Sequence, residues 1–375
     1  MKKRKLLATI FTSGALLAAT PVVATACTND KQTVDTTNYI VYDGKKLVFD
    51  NFDQSDINSL VPVYNAANKS FSMTLRGVVY DTAKITEINI GSPDENVETI
   101  PDYFLSYNYI SLLVNQYDPY QSSVPNLAKV NLSQLKNIKK IGNFFMSVLP
   151  KVTELYLPTL VYDGEKAPTI GRECLFHLPI LKKLDLSPLS NVACLPTGFM
   201  SEDLDDPDQF ERGKNAADII GLEELDMSMF HLTEDSYGGG SLNNLVNIKS
   251  FKLPYIGTSL LSRVKGPKIH LMNCWSLESL DYTPWKYCLI GMGPCVTNCF
   301  NLTDIYLPPE IDRTSFSGEV VDPDICIKTE FQPLFAKSYT QGIRLHATEI
   351  QKRWFKSDDL YPESHRQNDW RHYAN

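Results

Sequence analysis

Histidine is scarce in this chain of 375 residues, with six copies. None of His177, His231, His270, His346, His365 or His372 stands in an H-E-x-x-H or other paired-ligand spacing. Neither a G-x-S-x-G elbow nor a G-x-x-x-x-G-K-[ST] loop occurs. The compact sequence signatures of metal-dependent, acyl-transfer and nucleotide chemistry are therefore missing, and no catalytic residue, cofactor or metal is expected. Positive charge is also short, with 36 Lys and Arg against 44 Asp and Glu and a formal charge of −8. A nucleic-acid binder would be basic, so that class is excluded. After the first 26 residues no apolar run is long enough to span a bilayer.

Those first residues have their own character. Lys2, Lys3, Arg4 and Lys5 precede an apolar run from Leu6 to Val23, and Ala24, Thr25 and Ala26 lead into Cys27. A basic head, an apolar middle and a small-residue end make a secretory signal. The small residues before a cysteine resemble a bacterial lipoprotein signal, and the whole segment is similar to those of mollicute surface lipoproteins. The resemblance implies acylation of Cys27 and a membrane anchor on the extracellular face; an ordinary cleaved signal with an incidental cysteine, and an uncleaved membrane helix, which the small-residue ending disfavours, are the other readings. Each buried methylene contributes about 0.8 kcal/mol, so two or three chains anchor durably where one would not. Removing residues 1–26 takes away four positive charges and no negative ones, which moves the formal charge from −8 to −12. Residues 27–38 are polar and read as a tether.

The remainder is organised by repetition. An apolar residue, two others, then apolar residues at the fourth and sixth positions recur as Ile85, Ile88, Ile90; Leu127, Val130, Leu132; Val152, Leu155, Leu157; and Leu181, Leu184, Leu186. The pattern continues as Leu222, Leu225, Met227; Ile248, Phe251, Leu253; Leu277, Leu280, Tyr282; and Leu302, Ile305, Leu307. The eight starts are separated by 42, 25, 29, 41, 26, 29 and 25 residues, so the unit is 25–29 residues long with two enlarged copies. The rest of the unit agrees as well: Ile141-Gly142, Phe145 and Leu149 align with Ile170-Gly171, Cys174 and Leu178, and with Ile290-Gly291, Cys295 and Cys299. Alternation over the first six residues predicts a short strand, and the glycine predicts a tight turn back.

LxxLxL followed by a turn, an Ile-Gly pair and a spaced aromatic resembles a leucine-rich repeat, specifically the BspA-like type of microbial surfaces. The copies have no regular Asn at the ninth or tenth position of the longest-known consensus. The resemblance covers residues 85–307 and implies a leucine-rich-repeat solenoid: stacked short parallel β-strands with irregular or short helical returns, capped at both ends. It also implies non-catalytic binding or adhesion, with an extracellular or host protein as partner. A surface-displayed hydrolase or metal-dependent enzyme, and a structural or antigenic coat component, are the alternatives.

Residues 39–84 read as the N-terminal cap, opening with a hairpin about Asp43-Gly44, and 70–81 as a degenerate ninth repeat strand. Residues 308–375 read as an irregular last layer, a C-terminal cap and a polar tail. Within the cap a strand from Ile343 should join a short amphipathic helix carrying Ile350, Trp354 and Phe355.

Seven cysteines follow Cys27, an odd number that argues against full pairing. Cys174 and Cys295 share the slot of Phe104, Phe145 and Phe199, and Cys274 and Cys299 that of Leu149 and Leu178. Burial as small apolar fillers is expected. A Cys274–Cys299 disulfide is the main alternative, and zinc on His270, Cys288, Cys295 and Cys299 a weaker one, since that spacing is no established framework.

Candidate partner-binding residues are aromatic. Tyr103, Tyr107, Tyr109, Tyr117 and Tyr120 crowd the first enlarged unit, where they either cover an apolar seam or form an adhesive loop. Tyr156 and Tyr306 sit among the outward third and fifth strand positions. The others in that row are Glu87, Asn89, Lys129, Asn131, Glu154, Lys183, Asp185, Glu224, Asp226, Ser250, Lys252, Ser279, Asp281 and Asp304, which suit a solvated sheet or a polar docking face. Acidic residues 202–208 in the second enlarged unit lack the spacing of an EF-hand and read as a solvated loop.

Overall fold

The structure is a computed structural model describing residues 40–91, 97–106, 122–201, 221–233, 242–256, 270–272, 274–284, 295–297, 299, 301–306, 344–346 and 372–373. It is built mostly from short parallel strands in several sheets, with very little helix.

The expected hairpin opens the described chain, with β1 (Ile40–Tyr42) antiparallel to β2 (Lys46–Phe49). Gly44 turns at φ 91°, and Asp43 Oδ1 accepts hydrogen bonds from the N–H groups of Lys45 (3.0 Å) and Lys46 (2.7 Å). A five-residue helix, α1 (Gln54–Asn58), follows, started by reciprocal bonds between Asp53 and Asp56. Arg76 grips Asp56 with Nε 2.9 Å from Oδ1, tying the helix to the next sheet.

That sheet corrects one expectation. Residues 70–81 do not form a repeat strand: β3 (Val63–Asn65), β4 (Ser70–Leu75) and β5 (Val78–Asp81) make a separate antiparallel sheet. The reason is local. Gly77 takes φ 80° after Arg76 at φ 48°, which reverses the chain in mid-segment, while Phe71, Met73 and Leu75 alternate inward as in any half-buried strand.

From Ile85 the repeat takes over. β6 (Glu87–Ile90), β8 (Lys129–Asn131) and β10 (Glu154–Tyr156) carry successive triplets; β7 (Thr99–Ile100), β9 (Lys140–Ile141) and β11 (Thr169–Ile170) carry the return side. One sheet runs β1-β2-β6-β8-β10, with Leu47, Ile88, Val130 and Leu155 in one register row. The other runs β7-β9-β11, with Ile100, Ile141 and Ile170 aligned. Each of these units thus contributes one strand to each of two parallel sheets.

The glycine of the Ile-Gly pair has a different reason from the expected turn. Gly142 and Gly171 do not have positive φ. A Cβ on Gly142 would lie 2.4 Å from Asp102 N, and one on Gly171 2.4 Å from Asn143 N, so close approach of neighbouring backbones demands them.

The later units form β12 (Glu224–Asp226), β13 (His231–Leu232), β14 (Ser250–Lys252), β15 (Tyr255–Ile256), β16 (His270–Met272), β17 (Ser279–Asp281), β18 (Cys295–Thr297) and β19 (Asp304–Tyr306). β12 pairs with β14, β13 with β15, β16 with β18 and β17 with β19, all parallel. The expected strand of the closing cap is β20 (Arg344–His346), added parallel to β19, and β21 (His372–Tyr373) pairs with it in turn. The helix expected over Ile350–Phe355 lies outside the described residues.

Seven of the eight triplets therefore lie on strands. The eighth does not: Leu181 and Leu186 are buried, but the segment leads directly into a 3-10 turn at Ser187–Leu189. Its links to neighbouring segments sit at its flanks, from Leu160 N–H to Pro188 O (2.8 Å) and from Gly221 N–H to Pro179 O (2.7 Å). Apart from Leu307, which lies outside the described residues, the triplets share a single apolar cluster reaching from Leu47 to Ile305, with Leu184 and Tyr282 packed against it. Phe104 stacks on Phe145 at 5.5 Å within it, an aromatic pair worth about 0.5–1.5 kcal/mol beyond area burial.

Candidate binding surface

In the first sheet, in-register pairing lines the third strand positions and Lys46 of β2 into a column of alternating charge. Lys46 Nζ lies 2.8 Å from Glu87 Oε1, and Lys129 Nζ lies 2.7 Å from Glu154 Oε2. The hydrogen bond to Glu154 holds the Lys129 ammonium above its ordinary range, despite some burial. Lys129 also stands 5.9 Å from the centre of the Tyr156 ring. In the later units Lys249 pairs with Glu223 (2.9 Å) and Lys252 with Asp226 (2.6 Å). Burial pushes the Asp226 carboxyl up, but the bonds from Lys252 and Ser228 outweigh it and leave it low. Such exposed pairs add little stability and act mainly on register.

The fifth position does two kinds of work. Asn131, Asp185, Asp226 and Asp281 each accept, at Oδ1, the N–H of the residue two ahead: Ser133 (3.0 Å), Ser187 (2.9 Å), Ser228 (3.0 Å) and Thr283 (2.8 Å). The short side chain closes the chain turn after the triplet. Where the fifth residue is Tyr156, Lys252 or Tyr306, the residue two ahead is Pro158, Pro254 or Pro308. Proline has no N–H to satisfy, so the fifth side chain is released from capping and projects. The two kinds of unit are paired: Leu132 N–H donates to Tyr156 O (2.9 Å), Met227 to Lys252 O (3.0 Å) and Tyr282 to Tyr306 O (2.9 Å). This division is written in the sequence as [Asn/Asp]-x-[Ser/Thr] against [Tyr/Lys]-Leu-Pro, a signal that the apolar spacing alone passes over.

The candidate tyrosines separate accordingly. Tyr156 is 48% exposed and Tyr306 36%, both at the fifth position of a proline-ended unit. Tyr103 lies on the return side, half-buried and stacked on Phe144 (4.9 Å, 6°), with the Arg172 guanidinium 5.1 Å from the Phe144 ring. It is part of a seam between units. Tyr107, Tyr109, Tyr117 and Tyr120 lie outside the described residues, as do Cys27, the acidic residues 202–208 and the Ile290-Gly291 pair.

One outward assignment is overturned. Asp304 is buried, because β20 covers β19: His346 Nε2 lies 2.6 Å from Asp304 Oδ1, and its ring stacks on Tyr306 at 4.0 Å. One exposed aromatic went unrecognised. Tyr162 is 57% exposed, in Val161-Tyr162-Asp163-Gly164-Glu165, which copies Val41-Tyr42-Asp43-Gly44-Lys45. Asp163 Oδ1 accepts from Glu165 N (2.9 Å) and Lys166 N (2.7 Å), the same turn as at Asp43. Backbone N–H donors hold both carboxyls below their usual range.

The cysteine slots face inward. Cys174, Cys274 and Cys299 are buried and Cys194 half-buried; burial pushes the Cys174 thiol well up. Of the weaker zinc set, Cys288 lies outside the described residues, and the backbone register sets His270 opposite Cys295. Among the described residues no three His, Cys, Asp or Glu gather as metal ligands, and no helix is long and apolar enough to cross a membrane. No protein-family model, curated protein or solved structure matches this chain.

Proposed function

We propose that this chain is a leucine-rich-repeat solenoid of the BspA-like kind, displayed on the outer face of a cell membrane by lipid on Cys27. In this reading it is a non-catalytic scaffold that binds a host or neighbouring-cell macromolecule, and residues 85–307 are its repeat array. The observation that carries the reading is the exposed fifth position of proline-ended units, from which Tyr156 projects in the first sheet and Tyr306 in a separate, later one. Tyrosine supplies large rigid contact area with a polar end, and Lys129 beside Tyr156 adds a charge to the same patch. A polar surface with aromatic anchors suits a protein partner better than a small molecule, whose sites are concave.

The test is binding of the purified chain to immobilised extracellular-matrix and cell-surface proteins, comparing the native form with Tyr156→Ala/Tyr306→Ala. A loss of about tenfold or more supports these exposed positions as the docking face; unchanged binding assigns it elsewhere, and deletion of 103–120 then tests the tyrosine-rich loop. Mass spectrometry of the native N-terminus tests the anchor: an acylated Cys27 supports it, and an unmodified Cys27 ends it.

A further inference from the structure

We propose that Cys274 and Cys299 are a disulfide site: they form an intramolecular bond between adjacent units when a small-molecule disulfide is present as oxidant. The register carries the inference. His270 faces Cys295 and Ser279 faces Asp304, so on both sides of the pair each residue lies opposite the one 25 further on. Cys274 and Cys299 fall between those points with the same offset, and Asn301 N–H donates to Trp275 O (3.2 Å) beside them. Backbones joined this way run about 4.8 Å apart, within the roughly 4.4–6.8 Å between Cα atoms that a disulfide spans.

The side chains are also aligned. Leu277 N–H donates to Cys274 O (3.2 Å) and Leu302 N–H to Cys299 O (3.1 Å), so both cysteines close the same turn and both are buried toward the core. Cys299 Sγ lies 3.1 Å from Leu271 O, in the strand segment leading to Cys274, so it leans toward the preceding unit. In four other units the equivalent residue is Val124, Leu149, Leu178 or Leu245, all buried. An aliphatic filler therefore serves the slot, yet two neighbouring units both carry cysteine. Cys274 Sγ donates to Leu242 O (3.6 Å), and the Cys299 thiol beside it, together with burial, pushes the Cys274 thiol well above its ordinary range.

The step balances as thiol–disulfide exchange. One protein thiolate attacks a sulfur of the small disulfide and displaces the first small thiolate. The second protein thiolate then attacks the protein sulfur of that mixed disulfide and displaces the other. The two protein protons pass to the released thiols, and the oxidant gains two electrons. With the Cys274 thiol held protonated and buried, exchange proceeds through local opening and is slow, on the order of minutes to hours. A surface location would supply an oxidising compartment, but the bond itself requires only the register, so the test stands apart from the proposed function.

The full chain, purified reduced, is equilibrated with oxidised glutathione, quenched in acid, alkylated, digested without reductant and analysed by mass spectrometry. The expected product is a linked peptide pair containing Cys274 and Cys299 that disappears on reduction and is much less abundant from urea-unfolded chain. The melting midpoint should rise by about 5 °C on oxidation, and Cys299→Ala should not show the rise. Recovery of both residues as alkylated thiols, as glutathione adducts, or in pairs with other cysteines overturns the proposal, as does equal yield from unfolded chain. The peptide result on the native chain decides the matter even where the variant does not fold.

Discussion

The two sides of the repeating unit solve the same problem in different ways. On the triplet side, extended residues pair as ordinary parallel strands and alternate inward and outward, so Val130 is buried while Lys129 and Asn131 flank it. On the return side, residues other than glycine take left-handed conformations at every second position: Phe144, Met146 and Val148 in one unit, Glu173, Leu175 and His177 in the next. Each such residue costs about 1–2 kcal/mol. The return is hydrogen bonding between units. Phe144 N–H donates forward to Arg172 O, Met146 back to Phe104 O and Val148 forward to Phe176 O; Glu173, Leu175 and His177 donate forward, back and forward again. Strain on one side is thus offset by satisfied backbone donors and by burial of side chains such as Met146 and Leu175.

The largest expected contrast comes from one substitution made on both sides. Val130→Gly removes a fully buried side chain and adds chain entropy to the unfolded state, at about 3 kcal/mol. Val148→Gly loses a half-buried side chain but relieves φ 59° at a β-branched residue, so urea denaturation should place it within about 1 kcal/mol of native. Equal losses at the two valines would break the contrast. Gly171→Ala should cost about 2–3 kcal/mol by the same measurement, since its Cβ meets the Asn143 backbone; a neutral alanine would mean that neighbouring backbones stand further apart.

Capping separates β8 from its register partner β10. Asn131→Ala removes the acceptor for Ser133 N–H and should cost about 1 kcal/mol, whereas Tyr156→Ala, beside it and two residues before a proline, should leave stability within about 0.5 kcal/mol. A smaller cost at Asn131 than at Tyr156 would contradict the two-class reading of the fifth position. The smallest effect is electrostatic. Burial raises the Glu173 carboxyl, with Arg172 opposing, so the folded state favours the protonated form. Stability from this group is complete below the ordinary carboxyl value of 4.5 and is lost as pH rises. Glu173→Gln should therefore raise the melting midpoint at pH 7 and leave it unchanged well below pH 4; the same shift at both would remove burial as the cause.

This division also marks what could be read from residue order. Apolar spacing reports which side chains are buried, so it located seven strands and the buried Cys174, Cys274 and Cys299, and Asp-Gly located the first hairpin. It is blind to hydrogen-bond geometry. Leu181, Leu184 and Leu186 keep the spacing without pairing as a strand, and nothing in Phe144, Met146 or Val148 announces a left-handed backbone, because that conformation is imposed by acceptors in other units. Asp304 was misplaced for a similar reason: the strand that covers it arrives forty residues later in sequence, at Arg344–His346. The set of exposed tyrosines was half legible, since Tyr156 and Tyr306 are exposed as expected while Tyr103 belongs to a seam.

Zero-length carbodiimide cross-linking of the native chain, read by mass spectrometry, tests the in-register pairing of units most directly. Isopeptide bonds should appear at Lys46–Glu87, Lys129–Glu154, Lys139–Glu98, Lys249–Glu223 and Lys252–Asp226, all at ion-pair distance, the first joining the N-terminal hairpin to the first unit and the others one unit to its neighbour. Absence of these links, with lysines joined instead to carboxylates of segments that are not paired neighbours, would contradict the pairing and the exposed positions built on it.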